Sequence, residues 1–111
     1  MSEVYKIGFS KPRQRLIELL QRINYGLIEG LQVENGDPVF NPPPRVVRDL
    51  KLGGNADNSP RPELGRGNFK LKACVIELFD LLDELGDGLI PLIEVKGGLP
   101  FRVQVQEHVN F

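Results

Sequence analysis

The sequence predicts an α+β protein in which two helices pack on a mainly antiparallel sheet. Three observations carry this expectation. Apolar residues recur at helical spacing and then switch to alternation, once in each half of the chain, as in Leu16, Leu19, Leu20, Ile23 followed by Leu27, Leu31, Val33. Each alternating stretch is broken by a two-residue turn, Asn35-Gly36 and Gly97-Gly98, of the kind that demands positive φ at both centres. The order of these signals also repeats, which is the pattern of a helix–hairpin unit used twice.

The repeat can be laid out by residue. Ile17, Glu18 and Leu19 match Ile76, Glu77 and Leu78 at an offset of 59. With three extra residues placed at the end of the second helix the offset becomes 62, and Gly26, Leu27, Ile28, Val33, Gly36 and Pro38 fall on Gly88, Leu89, Ile90, Val95, Gly98 and Pro100. Internal duplication explains this, and so do two amphipathic helices that each precede a Gly-containing hairpin without common ancestry. The expected organisation is one domain over 1–111: a first unit at 10–52, a mobile connector at 53–67 and a second unit at 68–109.

In sequence order, Tyr5, Ile7 and Phe9 alternate with Lys6 and Gly8, predicting a short strand over 3–9. Ser10 is a natural N-cap, and Pro12 suits the first helical turn, where its missing amide hydrogen costs nothing. Gly26 is the expected stop. Lys11, Arg13 and Arg15 crowd the helix end where the macrodipole is positive, an unfavourable placement that calls for an anion, either a phosphate or the acidic second helix. Solvated side chains that tolerate a small penalty are the bland alternative. Pro38 opens the return strand at an edge, since it cannot donate a ladder hydrogen bond. Asn41-Pro42-Pro43-Pro44 reads as a stiff extended connector, and 45–52 as a further strand with Val46, Leu50 and Leu52 on one face.

The second helix starts from Asn68 as cap and carries Leu71, Cys74, Val75, Leu78, Leu82 and Leu85 as its apolar stripe, broadened by Phe79 and Leu81. Glu77, Asp80, Asp83, Glu84 and Asp87 fill the remaining face, so this helix has its carboxylates late and Lys70 and Lys72 early, again against its dipole. A parallel-displaced pair would bring the opposite charges of the two helices together better than antiparallel neighbours or a two-fold dimer, and the sequence fixes none of these arrangements. Leu89, Ile93 and Val95, then Phe101, Val103, Val105 and Val109, alternate with polar residues and predict the closing hairpin, with one polar face left for water or a partner.

Composition narrows the function. The protein has 111 residues, 41% hydrophobic and 26% charged, with a net charge of −1, and no apolar run near the ~20 residues of a membrane span. Its start, Met1-Ser2-Glu3-Val4-Tyr5, lacks signal-peptide regions, so a cytoplasmic location is expected. Residues 1–72 carry 12 basic and 8 acidic side chains (+4), and residues 73–111 carry 2 and 7 (−5). Opposed halves of this kind can attract each other within one molecule, across a homodimer or toward an outside partner.

Catalytic equipment is sparse. There is no Thr, while Ser2, Ser10 and Ser59 fall in a terminus, a cap and a loop. Cys74 lies on an apolar stripe, and His108 is the single histidine, which cannot build an ordinary zinc site by itself. Neither a phosphate-cradling motif nor an alternating acidic calcium loop is present. No catalytic residue, metal or cofactor is assigned. The expectation is a small soluble non-catalytic binding or assembly module whose partner is another protein or a second copy of itself, with no membrane role. Glu77, Asp80, Asp83, Glu84 and Asp87 form the candidate acidic partner face. The alternative is nucleic-acid binding by the N-terminal half through Lys11, Arg13, Arg15, Arg22, Arg45, Arg48, Arg61 and Arg66, with Tyr5 and Tyr25 stacking on bases. A pI near 5.8 disfavours that alternative.

Overall fold

The computed structural model of the protein describes residues 9–53 and 73–106. The strand expected at 3–9 apart from Phe9, nearly all of the 53–67 connector, the Asn68 cap, Leu71, Arg61, Arg66, His108 and Val109 lie outside these residues. The described elements are α1 (Lys11–Ile23), β1 (Tyr25–Glu34), β2 (Asp37–Val39), β3 (Arg45–Arg48), α2 (Ala73–Leu85), β4 (Gly88–Lys96) and β5 (Leu99–Gln104). This is an α+β fold with two helices on one face of a five-stranded sheet whose strand pairs are all antiparallel.

Helix α1 begins as expected. Ser10 caps it, its hydroxyl oxygen accepting from the Arg13 amide at 3.4 Å, and Pro12 sits in the first turn. Its end differs from the expectation. Asn24, rather than Gly26, terminates the helix at φ 62°, its amide returning to the Leu20 carbonyl, because Asn tolerates positive φ better than most side chains do. Gly26 and Leu27 therefore already belong to β1.

The sheet runs β2-β1-β4-β5. β2 pairs with residues 32–34 of β1 and β3 with residues 26–29, so the two lie in succession along one edge of β1. β1 and β4 form the centre, from Tyr25 opposite Lys96 to Val33 opposite Gly88. Ile28, Leu31, Val33, Ile90, Ile93 and Val95 face the helices, where they meet Leu16, Ile17, Leu20 and Ile23 of α1 and Val75, Leu78, Phe79 and Leu82 of α2. Burying these side chains is the main driving force for this arrangement.

Several strand faces depart from simple alternation. On β1 the buried set is Ile28, Leu31 and Val33, not Leu27, Leu31 and Val33, because Gly30 at φ 72° shifts the alternation by one residue. β4 mirrors this, with Ile90 rather than Leu89 joining Ile93 and Val95 in the core. β5 is paired irregularly: Val95 lies opposite Pro100 and Glu94 opposite Arg102, so Phe101 is the extra residue of a bulge and is exposed while Pro100 is buried. The strand expected over 45–52 ends at Arg48, leaving Leu50 and Leu52 exposed. Cys74 is half-buried at the core margin.

The helix ends and turns of the two units correspond: Ile23 to Leu85 and Asn24 to Gly86 are each 62 residues apart, the offset of the hairpins, so the second helix does not run three residues further than the first at this end. The Ile-Glu-Leu match at 59 is one helical turn out of step, as can happen between amphipathic helices of similar composition. Core positions follow the offset of 62, with Leu16, Ile17 and Leu20 standing where Leu78, Phe79 and Leu82 stand.

Two glycines test this geometry. A Cβ on Gly26 would lie 2.0 Å from the Val47 carbonyl oxygen, where β3 crosses close to β1, whereas a Cβ on Gly30 meets nothing within 4 Å. Gly26→Ala is expected to lower stability by about 1–3 kcal/mol through the clash with backbone. Gly30→Ala is expected to lower it by about 1–2 kcal/mol through positive φ alone. Urea unfolding midpoints measure both, and loss of the amide protection of β3 should accompany only the first.

Candidate functional site

The densest polar cluster among the described residues lies where the start of α1, the β1–β2 turn and the end of α2 converge. Asn35 and Gly36 both have positive φ, 51° and 76°, as the turn expected from Asn-Gly requires. The buried Gly36 amide donates to the Gly86 carbonyl at 2.8 Å, and the Asn35 amide donates to Asp87 Oδ1 at 3.0 Å. Arg13 closes the cluster. Its Nε and Nη2 donate to the Gly36 carbonyl at 3.2 and 2.8 Å, and Nη2 also donates to Asp83 Oδ1. Nε stands 3.4 Å from Asp37 Oδ1, which accepts from the Ser10 hydroxyl at 2.8 Å. The guanidinium lies 5.1 Å from the centre of the Phe79 ring, itself in edge contact with Phe9 at 4.7 Å.

This arrangement answers the charge question that the sequence raises. The Arg13 side chain is 12% exposed, and its partners are the acidic end of α2 and the turn, with no outside anion needed. The helices are antiparallel, not parallel-displaced: each is antiparallel to the central strand that follows it, and β1 and β4 are themselves antiparallel. The cationic start of α1 thus meets the carboxylate-rich end of α2, and each offsets the other's unfavourable dipole interaction. Arg13 is unavailable to nucleic acid in this geometry, and Asp83 and Asp87 are partly engaged internally.

Among the other described basic candidates, Lys11, Arg15 and Arg22 are exposed along one side of α1, and those on the strands lie elsewhere. Lys11 and Arg15 border an open depression of about 430 Å³ floored by Pro12, Pro38, Val39 and Phe40. Arg22 lies in the last turn of α1. Arg45 is on the opposite side of the sheet, 3.4 Å from Glu29, while Arg48 is exposed at the end of edge strand β3. Glu77, Asp80 and Glu84 are exposed along α2. Among the described residues no group of three or more His, Cys, Asp or Glu side chains could hold a metal ion. No helix there is long and apolar enough to cross a membrane.

A second surface is the sheet face turned away from the helices, which includes Arg102 and Gln104 of the polar strand face expected to meet water or a partner. Val47, Leu27, Glu94 and Arg102 form one row across it, and Arg45, Glu29, Leu92 and Gln104 the next. No described helix or strand covers it. Leu27, Val47 and Leu92 are half-buried there, and Tyr25 is 47% exposed beside them. Lys96, opposite Tyr25, places Nζ 4.1 Å from the centre of the Phe101 ring, which is 61% exposed. Tyr25, Leu27, Val47, Glu94 and Lys96 line a shallow depression of about 350 Å³. No protein family, curated protein or solved structure matches the protein. The bulge that exposes Phe101 has no signal in period-two alternation, so the sequence shows the polar residues of this face but not the aromatic ring that joins them.

Arg13→Ala should remove about 2–3 kcal/mol of stability, because the Gly36 carbonyl and two carboxylates lose a charged donor that is largely shielded from water. Arg13→Lys should recover less than half of the loss, since one ammonium cannot reproduce the fork. Asp83→Asn should cost only about 0.5–1 kcal/mol, because Asp83 is 63% exposed. Chemical denaturation of the three variants measures the ranking.

Proposed function

We propose that the protein is a non-catalytic binding or assembly module that uses the sheet face left open by the described elements, with a second copy of itself as its partner. The observation that carries this reading is the exposure of Tyr25 and Phe101 beside half-buried Leu27, Val47 and Leu92 on a sheet face that no described element covers. Aromatic side chains in such positions supply large contact area at low conformational cost.

The charge on that face supports a like partner over a polyanion. Arg45 lies 3.4 Å from Glu29, and Arg102 lies 3.7 Å from Glu94, so both arginines in the two central rows are paired within the face. A surface of this kind neither steers phosphates strongly nor repels its own copy. Outside it, Lys11, Arg15 and Arg22 share one side of α1 with the acidic Glu18 in the same row, which weakens that side as a track for a polyanion.

Sedimentation velocity across a concentration series tests the reading. The wild-type protein is expected to gain mass with concentration, and the Tyr25→Ser/Phe101→Ser double variant to remain monomeric with unchanged helix content. A wild-type monomer at the highest concentration removes the second copy as partner. Binding of fluorescent single-stranded DNA that weakens steeply with salt would replace the reading by nucleic-acid recognition.

A further inference from the structure

Asn35-Gly36 is the one Asn-Gly pair in the protein, and its chemistry is separate from the sheet face. In such a pair the backbone nitrogen after Asn can attack the Asn amide carbon, Cγ. A new bond joins that nitrogen to Cγ, the bond from Cγ to Nδ2 breaks, ammonia leaves and a five-membered succinimide remains. Water then opens the ring to aspartate or, more often, to isoaspartate. A glycine in the second position presents no side chain to hinder the attack.

Here every backbone group that this reaction must move is held. The attacking nitrogen, on Gly36, donates its hydrogen to the Gly86 carbonyl at 2.8 Å in a buried turn. The Gly36 carbonyl accepts from Arg13 Nε and Nη2 at 3.2 and 2.8 Å, and the Asn35 amide donates to Asp87 Oδ1 at 3.0 Å. The Asn35 residue itself is exposed, so water has access to it while the nucleophile stays engaged. Deprotonating Gly36 and swinging its nitrogen toward the Asn35 side chain requires these bonds to break together.

We infer that Asn35 is a latent self-modification site gated by the Arg13 clamp: the closed turn is inert, and succinimide forms only when the turn lifts off α1 and α2. The product cannot return. Isoaspartate adds a methylene to the backbone within a turn whose spacing Gly86 and Arg13 define. The new carboxylate also adds negative charge to a turn that already holds Asp37 and Asp83 on Arg13 and Asp87 on the Asn35 amide. Each molecule that has opened long enough to react is thereby marked and left open.

The full-length protein, incubated in mildly alkaline buffer and sampled by peptide mapping with mass spectrometry, tests this. Folded wild type is expected to convert Asn35 at least about a hundredfold more slowly than the same protein in urea, as local opening of a protected turn implies. That factor corresponds to about 2.7 kcal/mol at 1.36 kcal/mol per tenfold. Arg13→Ala should speed conversion in the folded protein, and Asn35→Gln should abolish it. Conversion of folded wild type at the unfolded rate overturns the inference, as does an Arg13→Ala variant that folds and reacts no faster. If Arg13→Ala does not fold, hydrogen exchange of the Gly36 amide in wild type across sub-denaturing urea must rise in parallel with conversion, and divergence of the two overturns the inference equally.

Discussion

Two buried turn amides govern the arrangement of this protein. Gly36 and Gly98 are both inaccessible to water, and a buried N–H without an acceptor costs about as much as a lost hydrogen bond. Each finds its acceptor at the end of the other unit's helix: Gly36 donates to Gly86 at 2.8 Å and Gly98 to Asn24 at 2.9 Å. The acceptors are themselves placed by positive φ, 62° at Asn24 and 69° at Gly86, after amides that return to Leu20 and Leu82. Helix ends, hairpin turns and the central β1–β4 ladder are therefore mutually constrained, and neither unit satisfies its own turn.

That reciprocity is geometrically even and chemically uneven. Arg13 and Asp83 bind across the first turn, whereas the residues at the corresponding positions of the second unit are Val75 and Gln21. Gln21 is buried, and its side-chain oxygen has no hydrogen-bond partner among the described residues. The first junction thus adds an ion pair and an aromatic ring to its turn-to-cap hydrogen bond, whereas the second has an apolar residue and a buried glutamine at the corresponding positions. An ion pair this sheltered responds less to salt than a surface pair does. The electrostatic asymmetry between the halves of the sequence is taken up in part at this one internal junction.

Much of the architecture is legible in the residues. Ser10 and Pro12 mark the start of α1, Asn35-Gly36 and Gly97-Gly98 mark the turns, and the switch from helical to alternating spacing separates helix from strand, because each signal acts over a few residues of backbone. The strand faces are harder to read. Gly30 resets the alternation of β1 through its positive φ, and an extra residue at Phe101 resets that of β5 against its paired strand. The candidate contacts are legible as residue types but not as a site. Arg13 stands in the sequence beside Lys11 and Arg15 as a cation in need of an anion, and only the antiparallel packing of α1 and α2 shows that Asp83 supplies it.

By itself the sequence determined the two helices, the two hairpins, their order and the scarcity of nucleophiles and metal ligands, since local propensity and composition suffice for these. Tertiary structure alone decided that the units exchange their turn-to-cap hydrogen bonds, that Arg13 is committed to holding them together, and that Tyr25 and Phe101 come to share a sheet face that no described element covers. The physical reason is range. Caps and turns are settled among neighbours in sequence, whereas the partner of a charge or the face of a bulged strand depends on which distant segments the core brings together.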